Sequence, residues 1–199
     1  MRRVSALMAA IALVARDLHS PEPTGVRLLL PVPGDLRGVP ETVAALELGV
    51  ALWRPVGGRA HGDVGLGHVG TEGLRWRWQV ATGTPVPVSL REARQSLKLA
   101  VLDCGRELAD LDVAHDDGGR IAVDEADRSL AQLALPAGLP NDRISGLRDA
   151  IRLLSAARWA LESAGTAASV SAVELRRRSL VRLERAAREA IEAALSPAG

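Results

Sequence analysis

The chain has 199 residues, 47% of them apolar, which suits one full-sized domain or two small ones and excludes a disordered chain. Its formal net charge is +1, so no global field advertises a polyanionic partner. Cys104 is the only cysteine, which excludes an intramolecular disulfide framework and a cysteine-cluster zinc site and fits a reducing compartment.

There is no Phe and no Tyr, so aromatic volume rests on Trp53, Trp76, Trp78 and Trp159, with Leu, Val and Ala doing the remaining packing. Lys98 is the only lysine and Asn141 the only asparagine, while Arg and Ala abound. GC-rich coding explains that bias better than selection for Arg chemistry. No apolar run approaches the roughly 18–20 residues that span a bilayer.

At the start of the chain, Val4, Leu7, Met8, Ile11, Val14, Ala15 and Leu18 fall on one stripe, which predicts a packed N-terminal helix. The competing reading of Met1-Arg2-Arg3 and the apolar run is a short secretory signal. Val26 to Val32 reads as a strand entering a Gly/Pro loop through Pro40. Thr42 to Leu48 reads as a short helix and Val50 to Val56 as a second strand. Val64–Val69 and Leu74–Val80 flank Gly70-Thr71-Glu72-Gly73, which predicts a β-hairpin with a four-residue loop. Alternation puts Leu74, Trp76, Trp78 and Val80 on a buried face, and Arg75, Arg77 and Gln79 on a polar one.

After Pro87 the pattern turns helical. Ser89-Leu90-Arg91-Glu92 is a capping box opening a helix to about Val113, with Leu90, Leu97, Val101, Cys104 and Leu108 on its apolar stripe and Leu99 and Leu102 widening it. A second helix is expected over about Asp124–Leu135, with Gly118-Gly119 read as part of the preceding turn. Two long helices follow, from Asp142 to about Ala164 and, through a box at Ser171-Ala172-Val173-Glu174, to about Leu195. Their short connection predicts an antiparallel α-hairpin. The expected class is α+β: an antiparallel sheet in the N-terminal half (residues 1–85) packed on a mainly helical half (residues 86–199), together one compact domain.

The segment Leu28-Leu29-Leu30-Pro31-Val32-Pro33-Gly34-Asp35-Leu36-Arg37-Gly38-Val39-Pro40 resembles one in uncharacterised proteins of high-GC Gram-positive bacteria. They too have a strand-like run entering a Pro-Gly-Asp-x-Arg-Gly loop and a helical C-terminal half. The resemblance implies an independent protein and carries no activity with it.

Residues that could carry chemistry each have a structural reading beside the functional one. Cys104 lies on an apolar stripe with no His within a turn, and reads as packing. His61, Asp63 and His68, with His115, could ligate a divalent ion, but their spacing matches no metal signature and they border Gly-rich turns. Asp35 and Arg37 sit in a loop with open backbone N–H groups, so they are candidate binding residues, though the phosphate-cradle pattern is missing. Arg75 and Arg77 interleave with Trp76 and Trp78 as in single-strand nucleic-acid platforms, yet alternation sends Arg and Trp to opposite faces. Arg176, Arg177, Arg178, Arg182, Arg185 and Arg188 make the last helix basic, with Glu174, Glu184, Glu189 and Glu192 at ion-pair spacing. No catalytic triad, nucleophile elbow or dinucleotide fingerprint appears, and no cofactor is implied.

The sequence therefore favours a cytoplasmic, non-enzymatic protein-binding or assembly (adaptor) protein, with self-association as a homodimer among the options and no membrane partner. The alternative is a nucleic-acid-associated protein using the Arg faces of the hairpin and last helix; a metal-dependent enzyme ranks third.

Overall fold

The computed structural model describes residues 2–18, 20–32, 49–56, 61–70, 73–82, 89–109, 118–133, 135, 139–163 and 169–196. The class is α+β, with a four-stranded antiparallel sheet in the N-terminal half and four helices after it. The chain divides into two compact units. One comprises residues 1–87, 131–141 and 195–199, and the other residues 88–130 and 142–194.

The first unit opens with α1 (Arg2–Leu18), whose stripe of Leu7, Met8, Ile11, Val14 and Ala15 is buried as the period demands. Asp17 ties down the exit from this helix. Its carboxylate accepts the Thr24 N–H at 2.9 Å, the Thr24 hydroxyl at 2.6 Å and the Val26 N–H at 3.0 Å. Burial alone would raise the Asp17 pKa, but these hydrogen bonds together hold it below the ordinary carboxylate value. Gly25, at φ 74°, then takes the left-handed turn into the sheet.

The sheet runs β1 (Arg27–Leu29), β2 (Ala51–Pro55), β3 (His61–Gly70) and β4 (Gly73–Thr82) in sequence order, each antiparallel to the next. Leu29, Ala51, Trp53, Val64 and Leu66 form a buried cluster. Leu28 and Leu52, directly paired, are buried on the opposite face, so β1 and β2 are covered on both sides. Gly62 pairs with Pro55, and a Cβ there would lie 2.4 Å from Trp53 Nε1, so only glycine admits the indole.

Two features of the hairpin depart from expectation. Gly70 pairs with Gly73, so the connection is two residues rather than four. The β4 faces are also sorted differently. Val64 opposes Gln79 and Leu66 opposes Arg77, which puts Arg77 and Gln79 on the face of the buried cluster. Trp76 and Trp78 share the other face and are half-buried, while Val80 beside them is 78% exposed rather than buried. Register is the physical reason: β3 offers Gly67 and Gly65 opposite the two tryptophans, and the Trp78 ring lies over Gly65.

The second unit consists of α2 (Leu90–Ala109), α3 (Gly118–Ala131), α4 (Asn141–Glu162) and α5 (Val170–Ala194). The expected α-hairpin is α4 and α5, fastened at both ends and in the middle. Arg176 donates to Ala160 O at 2.8 Å and to Ser163 O at 3.3 Å, satisfying carbonyls at the C-terminus of α4. Arg143 reciprocates, donating to Ala194 O at the end of α5 at 3.2 Å. Between them Arg158 pairs with Glu184 at 3.0 Å, both side chains 17% exposed.

Helix α3 starts six residues earlier than expected and ends sooner, because Gly118-Gly119 lies inside it. A Cβ on Gly118 would sit 2.2 Å from the Trp159 ring, so glycine lets the first turn close against that indole. The α5 cap also moves: Ser169, not Ser171, accepts the Ala172 N–H, at 3.2 Å. Glu174 instead pairs with Arg177 at 3.0 Å and Arg178 at 3.7 Å. Arg188 and Glu192, four apart on α5, are both buried. Residues 42–48, expected as a helix, lie outside the described residues. Among the described residues no helix is long and apolar enough to cross a membrane.

Candidate functional site

Helix α2 is held at its start by Ser89, whose Oγ accepts the Glu92 N–H at 3.2 Å and whose carbonyl accepts the Ala93 N–H at 2.9 Å. Near its end the Glu107 carboxylate takes hydrogen bonds from the Ser179 hydroxyl and from Arg182 Nη2 of α5, the latter 2.6 Å from Oε1. The Ser179 and Arg182 bonds hold the Glu107 pKa below its ordinary value against the opposing effect of burial. Between these anchors only Ala93, Leu97 and Cys104 are buried. Leu99, Val101 and Leu102 stay 50%, 37% and 53% exposed, although the sequence pattern places them on or beside the apolar stripe.

Two of these residues line a groove of about 460 Å³ between α2 and α4. Leu97, Val101, Leu102 and Leu153 give it apolar walls, and Arg94, Lys98, Asp149 and Arg152 stand around them. The two helices run parallel here: Arg94 approaches Gly146 near both helix starts, and Val101 and Leu102 share the groove with Arg152 and Leu153 farther along. A second hollow of about 610 Å³ continues toward the starts of α2 and α4, lined by Leu90, Arg91, Arg94, Gln95, Lys98 and Asp142.

Charge is distributed unevenly along this path. At the apolar end Arg152 is neutralised by Asp127, with Nε 2.7 Å from Oδ1, and the Arg152 hydrogen bond keeps the Asp127 pKa below its usual range. At the other end Arg91, Arg94 and Lys98 are exposed and, among the described residues, make no ion pair and share that hollow with one carboxylate, Asp142. Groups of this kind can hold a partner that is apolar along one part and anionic along another; they do not assemble a nucleophile, base and oxyanion donors.

Among the described residues, those singled out from the sequence do not converge on one site, although His68 and Arg75 are cross-strand partners. Asp35, Arg37 and His115 lie outside the described residues. His61 and His68 stand seven positions apart on β3, about 23 Å along the strand, pairing with Thr82 and Arg75. Asp63 pairs with Arg54 of β2 at 2.9 Å, and that guanidinium lies 4.5 Å from the Trp78 ring centroid. Among the described residues no group of three or more His, Cys, Asp and Glu is placed to hold a metal ion. Arg75 and Arg77 are exposed on β4, on the face away from Trp76 and Trp78. On α5, Arg176 and Arg182 are engaged in the contacts above, and Arg185 pairs with Glu189 at 3.2 Å. Cys104 is buried, and burial, then the nearby Glu107 carboxylate, push its thiol pKa up against the Arg182 charge.

The groove itself was missed in the sequence, which showed α2 to be rich in apolar residues without showing that α4 runs parallel beside it. The available signal was surplus: α2 carries more Leu and Val than one buried stripe uses.

No curated protein and no solved structure matches the chain. One family model does, described as Rv1486c-like protein, C-terminal domain, over residues 91–192, just over half of the chain. The match takes in α2 to α5 and the groove residues Arg91, Arg94, Lys98, Val101, Leu102 and Leu153, and leaves out the Leu28–Pro40 segment. On that match the chain belongs to the family of Rv1486c-like proteins, whose C-terminal domain corresponds to residues 91–192, the stretch that carries its helices α2 to α5.

Proposed function

We propose that this is a non-enzymatic, cytoplasmic docking protein whose α2–α4 groove seats a protein partner. The observation that carries the reading is the clustering of exposed Val101 and Leu102 with Leu153 along one groove. A stable helical unit normally turns such residues inward, and solvated apolar residues grouped in a groove favour an interface. The Leu28–Pro40 resemblance supports a source among high-GC Gram-positive bacteria.

The nucleic-acid alternative has less support, because Arg75 and Arg77 do not share a face with Trp76 and Trp78 and several α5 arginines are neutralised by glutamates. The metal-enzyme reading has least, given the spread of His61, Asp63 and His68.

The test is affinity capture from the native host with the wild-type chain and with Val101→Glu/Leu102→Glu. Both positions are exposed, so the variant should keep the wild-type circular dichroism spectrum and melting temperature. The expected result is a stoichiometric, nuclease-resistant partner whose recovery drops at least tenfold with the variant. Equal recovery by both proteins, or no partner at all, would overturn the reading.

A further inference from the structure

We infer that the occupant of the α2–α4 groove is an acidic amphipathic helix of a partner protein, its carboxylates over Arg91, Arg94 and Lys98 and its apolar residues over Val101, Leu102 and Leu153. The inference rests on the docking reading above and adds the chemistry of the partner.

Length gives the first argument. From Arg91 to Leu102 the groove follows eleven steps of α2, about 16 Å at 1.5 Å per residue, or three turns of a docked helix. Two parallel helices side by side leave a trough into which a third helix fits by ridges-into-grooves packing. The walls are Leu and Val side chains rather than backbone edges, which suits a helix better than an extended peptide.

Charge gives the second. Three cations line the hollow at the starts of α2 and α4 against one carboxylate, Asp142, and none of the three is spent on an ion pair among the described residues. Most other arginines of the unit are so spent, including Arg152, Arg158, Arg177 and Arg182. Both parallel helices also direct their N-terminal dipole ends to this hollow, which adds to its preference for negative charge.

A second copy of the chain fits less well. Outside the groove, the large apolar residues that the helical unit exposes, among the described residues, are Leu99 on α2, Ile121 on α3, and Val170, Val173 and Val181 on α5, Val181 standing among Arg177, Arg178 and Arg185. The Val181 face would bring cations to a cationic hollow, and the Ile121 face, though it carries Asp124 and Glu125, exposes one large apolar residue among the described residues where the groove needs a row of them.

The experiment selects helical peptides from a displayed library, randomised along one face, against the full-length protein, with counter-selection on Val101→Glu/Leu102→Glu. Recovered peptides should carry apolar residues at i, i+3 or i+4 and i+7, with Asp or Glu clustered at one end. The tightest of them, labelled, should bind by fluorescence anisotropy at least tenfold more weakly to Arg94→Glu/Lys98→Glu and in 500 mM rather than 50 mM salt. Enrichment of basic or neutral peptides, no enrichment over the counter-selected variant, or insensitivity to charge reversal would each overturn the inference. So would self-association lost in the Val101→Glu/Leu102→Glu variant, or dodecyl phosphate displacing a dye from the groove while no peptide binds. A partner captured through the groove with no acidic preference defeats this inference alone, whereas capture indifferent to groove substitutions defeats the docking reading beneath it.

Discussion

Gly118 and Gly105 are both helical glycines, and they should respond to the same substitution in opposite ways. At Gly118 a methyl group would meet the Trp159 ring at 2.2 Å, and a packed indole between two helices cannot move aside cheaply. Gly118→Ala should destabilise the protein by about 1–3 kcal/mol in urea denaturation. Gly105 is exposed within α2 with nothing within 4 Å of an added Cβ, so Gly105→Ala should stabilise by about 0.5–1 kcal/mol. Acid response also belongs to single residues. Asp17, Glu107 and Asp127 have folded-state pKa values below their ordinary ones, so each contributes stability above about pH 4 that is lost as pH falls through the depressed value. Melting temperature should be flat near neutrality and fall below about pH 4.5. Glu107→Gln should lower the plateau and flatten the fall, and an unchanged slope would show that the carboxylate is not coupled to Ser179 and Arg182.

Helices α2 and α5 differ in how firmly they are held. Three of the twenty residues of α2 are buried, against eleven of the twenty-five of α5, and five of those eleven are consecutive from Ala190 to Ala194. Native-state hydrogen exchange should find α2 opening at lower free energy than α5, and an occupant of the groove should slow exchange in α2 first. Arg176→Ala, which strips donors from the last carbonyls of α4, should cost about 1–2 kcal/mol and speed exchange in that final turn. The contrast bears on what a sequence can tell. Period announced α1, α2, α4 and α5 nearly to their ends, and Ser89 marked the start of α2, because burial of one stripe and a capping Ser are local properties. The start of α3 was hidden, since Gly118-Gly119 reads as a break until Trp159, far along the chain, occupies the space. The faces of β4 were hidden in the same way, for alternation is local but the pairing of Gly65 and Gly67 with Trp78 and Trp76 is not. The groove depends on a parallel alignment of helices about fifty residues apart, so no window of sequence contains it.

At the scale of the molecule each unit carries its own reporter. Cys104, the only thiol, is buried in the helical unit with a raised pKa, while Trp53 is buried in the sheet unit. Alkylation of Cys104 at pH 8 should run at least ten times slower in the native protein than in the unfolded chain. Followed through a urea titration, it should yield a midpoint distinct from that of the sheet signal in circular dichroism, and coincident midpoints would mean a single cooperative transition. The path of the chain between the units has a consequence for biosynthesis. The sheet unit holds residues 1–87, but also 131–141 and the stretch from residue 195. A ribosome delivers residues in order, so the sheet unit, begun before the helical one, receives residues 131–141 and the stretch from residue 195 only after helices of the other unit have emerged. Removing the stretch from Leu195 onward should therefore be felt in the sheet unit rather than in the helical unit that precedes it in the chain.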